Sequence, residues 1–371
     1  MDTITRPAAA HVRELFQQPG PVTSLYLGAG PAAPGEQELR RRALVAQLVR
    51  QGADERTVRS LLGRLDAAAP ARCATALFGA AGEVVGAFEL NCPTVPEVAV
   101  HGDLPYVLPL LQRLQEQPAH VVAVLDRAGA DIWSRPAGTG ETRVRVIDGP
   151  DDEIVRSAPG GTSQMRYQHR AEDSWEHNAG FAAEQIARAL ADLDARVLIL
   201  SGDVRTLGYL AEHLPAWVRR EVWTRHLNGG RSADGSERAR AEQVAQAVRD
   251  ALEEETERML ARLAEERRPG GSAAEGVPAT FEALRLGRVR TLLVTHDPAD
   301  GRTAWYGPAP TDIADEHERG PLLGQLEGVR HGRLADVAVR SAVLGGAEVR
   351  VLSPGRAAAP ADGIGALCRF A

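Results

Sequence analysis

The chain has 371 residues, 44% of them apolar and 25% charged, and a net charge of −7. This is more than one hydrophobic core serves, at roughly 100–200 residues per domain, so two or three domains are expected and a chain disordered throughout is excluded. The acidic balance excludes a protein that is basic all over, but a local basic patch stays compatible with RNA binding. Lysine is absent, so every fixed basic side chain is an arginine, a planar and always-charged fork suited to phosphate.

No apolar run reaches the length of a membrane span. The opening Met1-Asp2-Thr3-Ile4-Thr5-Arg6 lacks a basic n-region and an apolar h-region, so no signal peptide is expected, and the expected compartment is the cytoplasm. Cys73, Cys92 and Cys368 are widely separated and odd in number, which fits neither a disulfide framework nor a metal knuckle.

Residues 1–117 read as an N-terminal α/β domain. Val22–Leu27 alternates like a strand and ends in Gly28-Ala29-Gly30-Pro31. A charged helix is predicted from about Gln37 to Gln51, and a hairpin of Thr75–Phe78 and Val84–Leu90 around Gly82. Leu104–Leu114 is apolar with prolines and leads into a short helix.

Residues 118–229 read as a middle domain. His120–Asp126, Ala130–Trp133 and Arg143–Ile147 form three strands of a meander. A polar, glycine-containing loop follows, then a long helix from about Ala171 to Leu193, whose Phe181, Ile186, Ala189, Leu190 and Leu193 recur at helical spacing. Arg196–Leu200 is a buried strand, Thr206–Leu214 a helix stopped by Pro215, and Glu221–His226 a further strand. This order makes a mixed α/β layer domain.

Residues 230–371 read as a C-terminal domain entered through the joint Asn228-Gly229-Gly230. A charged helix from about Ser236 to Glu266 carries a narrow apolar face of Val244, Val248, Leu252, Met259, Leu260 and Leu263. Thr280–Leu286 and His331–Leu344 are predicted helices. Val289–Thr295, Ala347–Leu352 and Gly365–Phe370 are predicted strands, making a compact α/β sandwich.

The most informative stretch is Pro159-Gly160-Gly161-Thr162-Ser163-Gln164-Met165-Arg166-Tyr167-Gln168-His169-Arg170. Paired glycines permit positive φ and close backbone approach to a ligand, and the N–H groups of a following helix start suit an anion. Arg166 and Arg170, four apart, share one face if the helix has begun there. The competing interpretation is a solvated linker with incidental arginines.

This order resembles the middle domain of archaeal and eukaryotic class-I release factors and Pelota. There, a Gly-Gly-Gln loop is followed by a serine, an Arg-aromatic pair and a further Arg at the start of a long helix. Here Gly160-Gly161, Ser163-Gln164, Arg166-Tyr167 and Arg170 stand in that order. Further along, Gly276-Val277, Thr280, Ala283-Leu284 and Leu286-Gly287 precede the strand Val289–Val294, and the ending Gly363–Phe370 resembles that family's Gly-Ile…Leu-Arg-aromatic finish. The likeness covers roughly residues 118–371 and is closest to the bacterial archaeo-eukaryotic release-factor-like proteins.

The resemblance implies an RNase H-like middle layer and a C-terminal sandwich similar to kink-turn-binding ribosomal proteins. It implies a ribosome partner met at 23S rRNA and the peptidyl-transferase centre, with tRNA and a translation GTPase as further partners, and no cofactor, metal or membrane. It assigns RNA contact to Gly160, Gly161, Ser163, Gln164, Arg166 and Arg170, and any catalysis to Gln164.

Two departures shape the expected role. Thr162 and Ser163 separate Gln164 from the glycines, a shift of up to ~3.3–3.6 Å per residue in extended chain, although quality-control peptidyl-tRNA hydrolases of the superfamily also carry a displaced glutamine. The Asn-Ile-Lys-Ser codon reader is absent. Occupation of the A site of idle or stalled ribosomes, in hibernation or rescue, is therefore expected; the alternative is peptidyl-tRNA hydrolysis or peptide release through the Gly-Gly-x-x-Gln loop.

Weaker signals read as structural. His296, Asp297 and Asp300 suggest a metal loop but fit a turn better. Asp126 and Asp203 end neighbouring strands, as in an RNase H-type nuclease, yet no third carboxylate joins them. His169 and His177 lack a further ligand for zinc.

Overall fold

The structure, a computed structural model, describes residues 9–29, 34–67, 73–90, 92, 95–126, 129–138, 142–148, 162–229, 237–268, 270–317 and 328–370. The elements run α1 (Ala9–Phe16), β1 (Val22–Leu27), α2 (Pro34–Arg50), α3 (Glu55–Ala67), β2 (Ala74–Ala80), β3 (Glu83–Leu90), β4 (Val98–Gly102) and α4 (Leu108–Glu116). Then come β5 (His120–Leu125), β6 (Gly129–Arg135), β7 (Arg143–Asp148), α5 (Thr162–Asp192), β8 (Val197–Ser201), α6 (Val204–His213), α7 (Ala216–Glu221), β9 (Trp223–Leu227) and α8 (Glu237–Glu266). The last are β10 (Ala273–Glu275), α9 (Val277–Arg285), β11 (Val289–Thr295), β12 (Thr303–Tyr306), β13 (Ile313–Asp315), β14 (Arg330–Arg333), α10 (Leu334–Leu344), β15 (Glu348–Leu352) and β16 (Ile364–Cys368).

Contacts divide the chain into two compact units, Glu116–Glu255 and Arg6–Gln115 with Thr256–Ala371. The sequence breaks at 117 and 229 suggest three parts. The structure differs because the first and third parts share one core, in which Leu15, Tyr26 and Phe78 meet Leu292, Ala338 and Val343. The second break shifts because α8 serves two cores. Its Val244, Ala247, Val248 and Ala251 pack with Val122, Val197 and Ile199, while Leu260 and Leu263 pack with Leu293, Leu352 and Leu367.

In the middle unit the sheet order is β7-β6-β5-β8-β9. The meander β5-β6-β7 is antiparallel as predicted, and β5, β8 and β9 are parallel. Val197-Leu198-Ile199-Leu200-Ser201 is buried along its whole length because both faces are covered. On one face Leu198, Leu200 and Ile132 meet Ile186 and Leu190 of α5 and Leu210 of α6. The other carries the first half of α8.

The second unit holds an antiparallel sheet β3-β2-β1-β4, a sheet β10-β16-β11-β15 and a small sheet β13-β12-β14. The hairpin β2-β3 turns through Ala81 and Gly82 at φ 51° and 86°, the paired positive values of a tight two-residue turn. α1, α3, β4 and the small sheet escape prediction. His331–Arg333, predicted as helix, instead form β14 and pair with β12, so α10 starts at Leu334. Arg369, with Arg13, caps helix ends: Arg369 donates to the carbonyls of Gly287, Gly345 and Gly346 beyond α9 and α10, and Arg13 to that of Leu344. Among the described residues, no helix is long and apolar enough to cross a membrane.

A buried polar chain ties the two ends of this unit together. Tyr26 Oη donates to the Tyr106 carbonyl (2.6 Å). Tyr106 Oη meets His296 Nε2 (2.7 Å), and His296 Nδ1 meets Gln112 Oε1 (2.9 Å). An amide oxygen only accepts, so Nδ1 carries the proton and the tyrosine hydroxyl donates to Nε2. Burial lowers the His296 pKa and favours this neutral ring. Asp336 of α10 is 5% exposed, and its Oδ1 has no hydrogen-bond partner among the described residues.

That burial pushes the Asp336 carboxyl from 3.8 up to about 7, against the opposing charge of Arg333. The folded state therefore holds this proton more tightly than the unfolded chain. The contribution is complete below about pH 4 and is lost as pH rises through about 7. Its limit is about 4 kcal/mol. His296 works in the opposite sense, losing stability as pH falls. Thermal unfolding between pH 5 and 8 is expected to show the difference between wild type and Asp336→Asn moving in favour of the variant as pH rises, with the variant the more stable at pH 8.

Candidate nucleic-acid interface

α5 is 31 residues long, about 46 Å at ~1.5 Å per residue. The strand β8 behind it has five residues, about 17 Å at ~3.3 Å each. Among the described side chains, α5 packs on the sheet through its second half. Its buried stripe runs Asn178, Ala179, Ala182, Ala183, Gln185, Ile186, Ala189, Leu190. From Thr162 to Asn178 the axis advances about 24 Å, longer than a strand of this sheet. The strand directions set the helix direction. β7 runs parallel to β8, so the crossover between them carries α5 antiparallel to both. The helix start is therefore the end of α5 that follows the loop after β7.

The predicted residues fall at that start. Ser163, Gln164, Arg166 and Arg170 belong to the first turns of α5; their side chains, and Gly160 and Gly161 altogether, lie outside the described residues, as does the side chain of His169. The helix begins at Thr162, nine residues before the predicted Ala171. Helical backbone shortens the effect of the two inserted residues. Thr162 and Ser163 advance the axis by about 3 Å, against about 7 Å in extended chain.

The carboxyl edge of the sheet is closed by turn chemistry. Asp126 Oδ1 accepts from Gly129 N (2.9 Å). Asp203 N-caps α6, accepting from the backbone of Arg205 and Thr206 and from Thr206 Oγ1 (2.7 Å). Both carboxylates hold loop backbone, as the turn interpretation expects. Asp297 and Asp300 do the same for Ala299 N and Arg302 N. Among the described residues, no group of three or more His, Cys, Asp or Glu is placed to hold a metal ion. Cys73, Cys92 and Cys368 form no disulfide among the described residues.

Sequence inspection missed two contacts here. Ser201 Oγ donates to the Gly229 carbonyl (3.0 Å), tying β8 to the end of β9. A Cβ on Gly202 would lie 2.7 Å from the Leu125 carbonyl oxygen, so only glycine lets these neighbouring strand ends approach. The dipeptide Ser201-Gly202 was the available signal, but glycine after a strand reads equally as an ordinary turn.

Residues 119–268, which include this sheet, α5 and α8, match the model of bacterial archaeo-eukaryotic release factor family 2. The chain belongs to the bacterial archaeo-eukaryotic release factor family. The uncharacterized protein Rv2629 of Mycobacterium tuberculosis strain H37Rv is 30% identical over 270 residues, covering 72% of this chain and 70% of that protein. MT2704 of strain CDC 1551 matches with the same figures. Similar solved structures include the archaeal translation termination factor aRF1, at 18% identity over 99% of each chain with a TM-score of 0.25. Another is the model of ribosome-bound archaeal Pelota and ABCE1, at 14% identity over 100% of this chain and 95% of that one, TM-score 0.40.

Replacing Gly202 with alanine is expected to force apart β5 and the β8–α6 turn and to destabilise the protein by about 1–3 kcal/mol. Urea unfolding checks this through a lower midpoint at unchanged slope.

Proposed function

We propose that the protein is a translation factor that binds the A site of idle or stalled ribosomes, in hibernation or rescue. The observation that carries this is the long α5, whose first turns hold Ser163, Gln164, Arg166 and Arg170 directly after Gly160-Gly161. A helix of 31 residues is a suitable arm for reaching a deep, RNA-walled site. Helix-start amides and glycine backbone approach phosphate closely, and arginine forks bind it bidentately.

In this function Gly160 and Gly161 meet 23S rRNA or the tRNA end near the peptidyl-transferase centre. Arg166 and Arg170 hold phosphates, and Gln164 contacts the tRNA terminus or a water. A translation GTPase is the partner proposed for the part beyond residue 230. Family membership supports the translation role, since the family model spans α5 and its sheet.

Co-sedimentation with ribosomes tests the proposal. Wild type is expected to pellet with vacant ribosomes in a salt-dependent manner, and Arg166→Glu with Arg170→Glu to weaken binding at least about tenfold. Unchanged pelleting of the double variant would remove the assigned contacts. On stalled ribosomes carrying labelled peptidyl-tRNA, the expected result is binding without rapid peptide release. Release that disappears in Gln164→Ala would replace occupation with hydrolysis.

A further inference from the structure

The other end of α5 carries a cavity that the preceding function does not use. β7 is an edge strand of the five-stranded sheet. Ile147 is buried in the core beneath α5, so strand alternation directs Arg143 and Arg145 to that same face. Val144 and Val146 alternate with them and are 57% and 58% exposed, Val144 also bordering the cavity described next. The register sets Ser134 opposite Arg143 and Ile132 opposite Arg145. With Asp192 and Leu193 at the end of α5, these residues line a cavity of about 120 Å³, more than a single water needs.

The polar groups differ in what they accept. Arg145 donates one bond to Gln185 Oε1, and a guanidinium has five donors. The Arg143 side chain has no hydrogen-bond or ion-pair partner among the described residues. Two guanidiniums two residues apart, about 6.7 Å along a strand, suit a phosphodiester. Asp192 is unsuited to a bare phosphate, which it repels, but a carboxylate accepts well from a hydroxyl. Ser134 both donates and accepts. A group with a phosphate on one side and a hydroxyl on the other satisfies all four side chains.

We propose that this cavity holds one ribose-phosphate of an RNA strand, with Arg143 and Arg145 on the phosphate and Asp192 and Ser134 on the 2′-hydroxyl. The 2′-hydroxyl is what separates RNA from DNA at such a site. The site rests on the RNA-contacting function above but is a separate contact, about 42 Å along the α5 axis from Gln164.

Fluorescence anisotropy tests it on the full chain, using a mixed-sequence 12-nucleotide single-stranded RNA and the DNA of the same sequence. Wild type is expected to prefer RNA by roughly tenfold, the order of a hydrogen bond to a charged group. Asp192→Ala is expected to erase that preference without weakening DNA. Arg143→Ala with Arg145→Ala is expected to lower the salt slope by about 0.7, the value for one single-strand phosphate. Arg143→Ala alone, which breaks no described contact, should lower it by a smaller amount and guards against misfolding of the double variant. An unchanged slope, a preference surviving Asp192→Ala, or no RNA binding by wild type overturns the proposal.

The two functions fail separately. Ribosome binding that depends on Arg166 and Arg170, with RNA binding indifferent to Arg143 and Arg145, removes the cavity and keeps the ribosomal role. Oligonucleotide binding through Arg143 and Arg145 without ribosome binding does the reverse.

Discussion

The middle unit depends on the packing of one half of one helix. Ala182, Ala183, Ile186, Ala189 and Leu190 are buried against Ile132, Leu198 and Leu200. The small residues let the helix approach the sheet, and burial of Ile186 and Leu190 is worth about 1.5–3 kcal/mol each. Among the described side chains the stripe runs from Asn178 to Leu190, within a helix that begins at Thr162. The parallel strands fix the direction of the crossover and so of this helix.

A second constraint is the double use of α8. The helix has a narrow apolar face, enough for one side of a core at a time. It meets the middle sheet with Val244 and Val248 and the other unit with Leu260 and Leu263. Between these sets lie the buried polar residues Glu255 and Thr256, and Thr256 Oγ1 accepts from the fully buried Arg350 (2.7 Å). The polar interruption of the stripe coincides with the change from one core to the next.

Much of the middle unit was legible. The meander, the buried strand Val197–Ser201 and the helix-strand order follow from period and turn residues, because local chemistry and tertiary demand agree there. The start of α5 was not legible. Pro159-Gly160-Gly161 marks a break, but Thr162–Arg170 is polar and offers no apolar period from which to infer a helix. The two arginines of β7 were also visible as an alternating Arg-Val-Arg-Val, but nothing in the strand says which face would be open.

The sequence by itself determined the family likeness, the order of Gly160, Gly161, Gln164, Arg166 and Arg170, and the turn roles of Asp126, Asp203, Asp297 and Asp300, all of which rest on neighbours within a few residues. Only the tertiary structure decided that residues near both ends of the chain share one core, that the buried Asp336 has no partner for its Oδ1 among the described residues, and that Ser134, Arg143, Arg145 and Asp192 surround one cavity. Those facts join residues tens to hundreds of positions apart. Their burial and charge follow from how strands pair and helices pack, which local patterning does not encode.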